Sequence, residues 1–170
     1  MNPFNTAALA TTLLTGCFIA SLPARAGTAD VAAIKALEDR FAAAVNAKDV
    51  DAIMKVYEPN ESLHVFDVTP PREYIGAKAY RKNWEGFLAL YKGPLKLTIS
   101  DLKVEAGGTV GYSHSIQRVV GTDTKGQLSD LTVRLTDVYR KIGGHWLIVH
   151  EHVSIPVDLA TGKPDMTSKP

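Results

Sequence analysis

Residues 110–155 read VGYSHSIQRVVGTDTKGQLSDLTVRLTDVYRKIGGHWLIVHEHVSI. Two long runs, 110–122 and 127–141, are rich in β-branched and aromatic residues. Asp123-Thr124-Lys125-Gly126 between them is a hairpin signal. Ile142-Gly143-Gly144 then turns the chain into a third run, 145–155. Consecutive strands joined by such short turns pair antiparallel. Outward from this meander, Gly107-Gly108 turns back to another run, in which Leu95, Leu97 and Ile99 alternate with Lys96, Thr98 and Ser100. That period of two fits a half-buried strand, extended through 101–105.

Towards the N-terminus the period changes. Tyr80, Trp84, Phe87 or Leu88, and Tyr91 recur on one side of a helix that follows Gly76. Residues 63–68 alternate as a short strand, which Thr69-Pro70-Pro71 breaks. Asp49 can cap a short helix carrying Ile53, Val56 and Tyr57 and closed by Pro59. Ile34, Leu37, Phe41 and Val45 form an apolar stripe on a first helix, with Lys35, Glu38, Asp39 and Arg40 read as lying between them. Helices followed by a meander predict an α+β fold, a curved antiparallel sheet wrapped around N-terminal helices. A sheet bent that far leaves a cavity open at one end.

Residues 1–26 read as an export segment. An apolar run at 7–22 leads to Ala24-Arg25-Ala26, a small-x-small cleavage pattern. The run is shorter than the roughly 20 apolar residues of a membrane span. A competing signal is Leu14-Thr15-Gly16-Cys17, which is similar to the box preceding a lipidated cysteine. Cleavage after Ala26 leaves 27–160 as the folded domain and 161–170 as a flexible tail, in a periplasmic or secreted protein. It removes one of 19 basic residues and none of 18 acidic ones, so the net charge becomes nearly neutral. A neutral chain without a basic tract gives no reason to expect nucleic acid. The sole cysteine, Cys17, leaves with the segment, and no disulfide is expected.

Several stretches resemble a known group of proteins. Residues 47–57 (AKDVDAIMKVY), then Val65-Phe66-Asp67 and the helix opened by Gly76, are similar to the N-terminal half of ketosteroid isomerases. Asp137-Val138-Tyr139-Arg140, the Gly143-Gly144 turn and 146–154 (WLIVHEHVS) resemble SnoaL-like proteins and the association domain of calmodulin-dependent protein kinase. The chain is thus identified as a SnoaL-like, ketosteroid-isomerase-like member of the cone-fold superfamily of nuclear transport factor type. The resemblance covers roughly 29–157 and is specific for fold, not function, because this fold hosts many activities.

Residue by residue, the resemblance places the isomerases' general base at Asp67 and their protonated oxyanion donor at Asp137. Their tyrosine donor falls at Phe41, whose ring has none. The kinase domain's basic pocket positions fall at His114, Asp137 and Val153, none of them a permanent cation. The resemblance puts Leu147, Val149, Glu151 and Val153 on the cavity face with Asp137, Tyr139 and His114. Trp146, Ile148, His150 and His152 are then on the outer face, where these proteins dimerise. A one-residue change of register reverses that assignment.

Each candidate has a second reading. Asp67 beside the Pro-Pro turn is a base or a solvated turn residue. His114 is a catalyst or a hydrogen-bonded core histidine, and Asp137 a partner acid or a cross-strand mate of a nearby arginine. Glu151, on an apolar strand, needs a partner or a raised pKa. Trp84, with Tyr80 and Tyr91, is core or ligand platform, and Tyr57 and Tyr139 line the same space. His150 and His152 project together and invite a metal reading, but no third ligand is placed, so neither metal nor cofactor is expected. Two functions remain open: a homodimeric, exported binder of a small apolar molecule with acid/base chemistry on a carbonyl compound, or a non-catalytic binding or oligomerisation module.

Overall fold

The computed structural model describes residues 27–168; the stretch read as an export segment, with Cys17, lies outside them. The helices are α1 (Thr28–Ala47) and α2 (Val50–Met54), which come first, and α3 (Ala77–Ala89), which follows the first two strands. The strands are β1 (His64–Phe66), β2 (Tyr74–Ile75), β3 (Tyr91–Gly107), β4 (Val110–Asp123), β5 (Leu128–Ile142) and β6 (His145–Ser154). They form one curved sheet in the order β2-β1-β6-β5-β4-β3. The α+β class follows as expected, with two additions. The two-residue β2 was not foreseen, and β1 runs parallel to β6 while the other pairs are antiparallel.

Local chemistry explains the elements. Asp49 caps α2 by accepting from the Ala52 N–H at 2.9 Å, satisfying a donor that the helix start leaves open. Gly76 precedes α3 at φ +84°, and a Cβ there would overlap the Glu61 carboxylate at 2.3 Å. Ile34, Leu37, Phe41, Ala44 and Val45 of α1 are buried against the sheet. Asp30 in the first turn of α1 accepts from Lys141 Nζ at 2.8 Å and Trp146 Nε1 at 3.1 Å, clasping the helix to β5 and β6.

Register shifts bend the long strands. One in β3 lies between Ser100 and Lys103, where Asp101 takes φ +53°. Another lies between Val138 and Tyr139, which face His150 and Ile148, so Val149 is the extra residue on β6. Bulges of this kind bend a strand and change which face a side chain reaches. Here Ile148 is also held from its other side: its N–H donates to the Val56 carbonyl and its carbonyl accepts from the Glu58 N–H, each at 2.8 Å.

The bulge corrects the expected faces. Trp146 and Ile148 are buried in the core, not on the outer face, while Glu151 is also buried inward. Strict alternation fails because Val149 adds one residue between the two sets. His150 and His152 do pack at the outside, with the Phe66 ring 5.1 and 5.7 Å from theirs. After β6 the chain folds back. The Thr132 N–H donates to the Met166 carbonyl at 2.7 Å, and that of Asp165 to Pro156 at 2.8 Å, so the segment expected as a flexible tail carries these bonds.

Candidate functional site

The concave face of the sheet, roofed by α1 and α3, encloses a cavity of about 680 Å³. Its walls are mainly apolar: Phe41, Trp84 and Phe87 from the helices, Leu97, Val119, Val133 and Leu135 from the strands. The aromatic wall is fixed edge-on, with Trp84 5.6 Å from Phe41, 6.1 Å from Tyr80 and 5.7 Å from Phe87. Asp67 and Asn83 belong to the same lining. The Asn83 amide donates to Asp67 Oδ2 at 2.8 Å, and the Thr69 N–H to Oδ1 at 3.2 Å.

Glu151 also lines this cavity and is 1 % exposed. Tyr57 donates to its Oε2 at 2.8 Å, and Tyr80 donates to its Oε1. Burial raises the Glu151 pKa to about 7; the two phenols pull it down and the Asp67 charge pushes it up. A carboxyl group that titrates near neutrality is suited to exchange protons there.

Behind Glu151 lies a second layer that does not touch the cavity. Asp137 faces Glu151 across the β5–β6 pair and is buried. Tyr139 donates to Glu38 at 2.6 Å and lies 3.4 Å from Asp137 Oδ2. Because the phenol proton goes to Glu38, the Ser113 hydroxyl, 2.7 Å away, is the donor to the Tyr139 oxygen. No basic side chain takes part in these bonds. Burial, reinforced by the Glu151 and Glu38 charges, raises the Asp137 pKa well above the ordinary range. Burial likewise raises that of Glu38, which the Tyr139 bond partly offsets.

The expected residues therefore divide. Phe41, Trp84, Asp67 and Glu151 meet around one cavity. Tyr57 sits behind them as a donor to Glu151, and Tyr139 and Asp137 belong to the deeper layer. His114 is a correction: it is exposed on the opposite face of β4. The register pairs Asp137 with Ser113, which puts His114 one residue out of phase. Among the described residues no three potential metal ligands are assembled into a site, and His150 Nδ1 lies 3.0 Å from the His64 carbonyl.

Sequence reading passed over Glu38 and Gln117. Glu38 stands four residues after Ile34 and three before Phe41, so helical geometry put it on the buried stripe. Gln117 shares its face of β4 with Ser113 and Ser115, all buried.

A curved sheet and helices around a mainly apolar, partly acidic cavity define a protein of the cone-fold class. A SnoaL-like domain model matches residues 34–158, and the chain belongs to that family. A nuclear transport factor 2-like protein of unknown function from Pseudomonas putida is 30 % identical, with a TM-score of 0.76 over 85 % of this chain and 99 % of that one. A proposed calcium/calmodulin-dependent protein kinase II association domain from Xanthomonas campestris is 26 % identical, TM-score 0.62, over 79 % and 91 %. A proposed scytalone dehydratase from Novosphingobium aromaticivorans shares the fold at 16 % identity, TM-score 0.67, over 82 % and 87 %. A search of the curated proteins finds no match. No helix among the described residues is long and apolar enough to cross a membrane.

Proposed function

We propose that the protein is an exported binder of a compact, largely apolar carbonyl compound, on which it performs cofactor-free proton transfer. The observation that carries this reading is Glu151, a carboxyl group in the wall of an apolar cavity with a pKa near 7. Of the partner acids considered for Asp67, it alone shares the cavity lining with it. In this reading the Asp67 carboxylate takes a proton from the carbon next to the carbonyl. The C–H electron pair becomes the new carbon–carbon π bond and the carbonyl π pair moves onto the oxygen, to which protonated Glu151 donates a hydrogen bond. Return of the proton from Asp67 to carbon completes the cycle.

Solvent exchange tests it directly. A ketone such as 2-acetonaphthone, incubated with protein in D₂O, should gain deuterium at its α-carbon faster than in buffer. Asp67→Asn should abolish the gain, and the wild-type rate should fall as Glu151 loses its proton above about pH 7. A rate equal to buffer would reject catalysis on this compound and favour the binding module. One feature supports that second reading: the hydroxyls of Tyr57, Tyr80 and Tyr139 are all engaged by carboxylates. The expected homodimer belongs to the proposal as well, carried by the outer sheet face where Phe66, His150 and His152 pack.

A further inference from the structure

Two side chains of the cavity wall have polar hydrogens with nothing to bond. Gln117 Nε2 and Trp84 Nε1 are both buried and have no protein partner, and both residues line the cavity. Gln117 is 4 % exposed. It projects from the concave face of β4, paired with Ile99 on one side and Val133 on the other. Its neighbours along that face are Ser115 and Val119, so leucine or valine would satisfy the packing. Trp84 is held by the three aromatic rings around it and cannot turn its N–H to another partner without losing them. An unsatisfied buried donor is costly, and a ligand that supplies the acceptor recovers that cost.

The charges of the cavity narrow the ligand further. Asp67, Glu73 and Glu151 line it, and the one basic lining residue among the described residues, Lys82, is exposed on α3. A buried carboxylate ligand would meet these acids with no cation beside it.

We propose that Gln117 and Trp84 are the specificity-determining donors of this cavity, which selects uncharged, mostly apolar molecules by an acceptor oxygen and discriminates against both pure hydrocarbons and carboxylates. This rests on the reading of the cavity as a small-molecule site but not on catalysis there. A site built to donate to an acceptor rejects the analogue that lacks it, because the donors are then left unpaired.

Three probes of nearly one shape separate the possibilities: 2-acetonaphthone, 2-isopropenylnaphthalene and 2-naphthoate, measured by equilibrium dialysis at pH 8. The ketone should bind more tightly than the alkene by roughly three- to tenfold for each hydrogen bond made, and the carboxylate more weakly than the ketone. Gln117→Leu and Trp84→Phe should each reduce the ketone-to-alkene ratio, mainly by weakening ketone binding. Gln117→Leu removes an unpaired buried amide, so its melting temperature should be no lower than wild type, which separates a recognition role from a structural one. Ketone and alkene binding equally, or a ratio that neither substitution moves, would overturn the donor assignment and leave the small-molecule cavity standing. Binding of none of the three would remove both.

Discussion

Asp137 stands directly opposite Glu151 on the concave face of the β5–β6 pair, each side chain 1 % exposed. Two buried carboxyl groups without a cation cannot both ionise cheaply, so the pair keeps a proton where an ordinary carboxyl would have lost it. Glu151 is raised from 4.5 to about 7 and Asp137 well above 3.8. In the unfolded chain both return to ordinary values and bind fewer protons than the native state. Stability from Glu151 is therefore fully present below about pH 4.5 and is lost as pH rises through about 7, and Asp137, also raised, acts in the same direction. His150, whose pKa burial lowers, acts in the opposite sense below 6.5. Urea midpoints at pH 5, 6.5 and 8 should fall with rising pH in the wild type, and the fall should be smaller in Glu151→Gln. A midpoint that rises from pH 6.5 to 8 would contradict the buried proton.

The two phenols set where that proton leaves. Tyr57 and Tyr80 both donate to Glu151 and so favour its charged form. Tyr80→Phe and Tyr57→Phe should each move the Glu151 titration upward, followed by its side-chain carboxyl ¹³C shift. The double change should move it further than either alone. A downward movement in either variant would mean that its hydroxyl does not donate to this carboxylate.

The class of fold was legible because glycine or polar turns join β3 to β4, β4 to β5 and β5 to β6, and Asp49 caps α2. The α3–β3 junction at Leu90 carries no such mark, and Tyr91, read as helical, opens β3. The site was only partly legible. Along 146–149 the sequence runs Trp-Leu-Ile-Val, apolar at every position, so alternation carries no phase and an extra residue at Val149 leaves no mark. On β4 the polarity is inverted: Ser113, Ser115 and Gln117 face inward while Tyr112 is exposed. The resemblance placed His114 on the cavity face, but the register pairs Asp137 with Ser113 and leaves His114 exposed on the other side of β4. Parallel pairing of β1 with β6 joins segments 86 residues apart at His64 and His150, beyond any local pattern.

Export makes a separate prediction. The run at 7–22 and Ala24-Arg25-Ala26 imply a mature chain that begins at Gly27. Expressed with its full N-terminus in a Gram-negative host, the protein should be recovered from the periplasm with the mass of residues 27–170. A diacylated chain starting at Cys17 would instead establish a membrane-anchored lipoprotein.

The bulge at Val149 decides which residues of β6 carry the core, and stability can test it. With the extra residue, Ile148 and Glu151 both point inward; without it, Ile148 would lie on the outer face beside His150. Ile148 is 1 % exposed and its backbone is tied to Val56 and Glu58. Truncating a buried isoleucine removes its transfer energy and leaves a cavity, so Ile148→Ala should cost about 2–5 kcal/mol. His152 is exposed, with its ring roughly perpendicular to that of Phe66. His152→Ala should change stability by no more than about 0.5 kcal/mol, as for surface positions. Chemical denaturation of the two variants at one pH reads the difference. If His152→Ala proves the more damaging, the phase of β6 is wrong and the outer face regains its apolar strip. If Ile148→Ala does, the bulge has turned two sets of side chains to the same side, which is how one strand supplies both the core and the carboxyl group in the cavity wall.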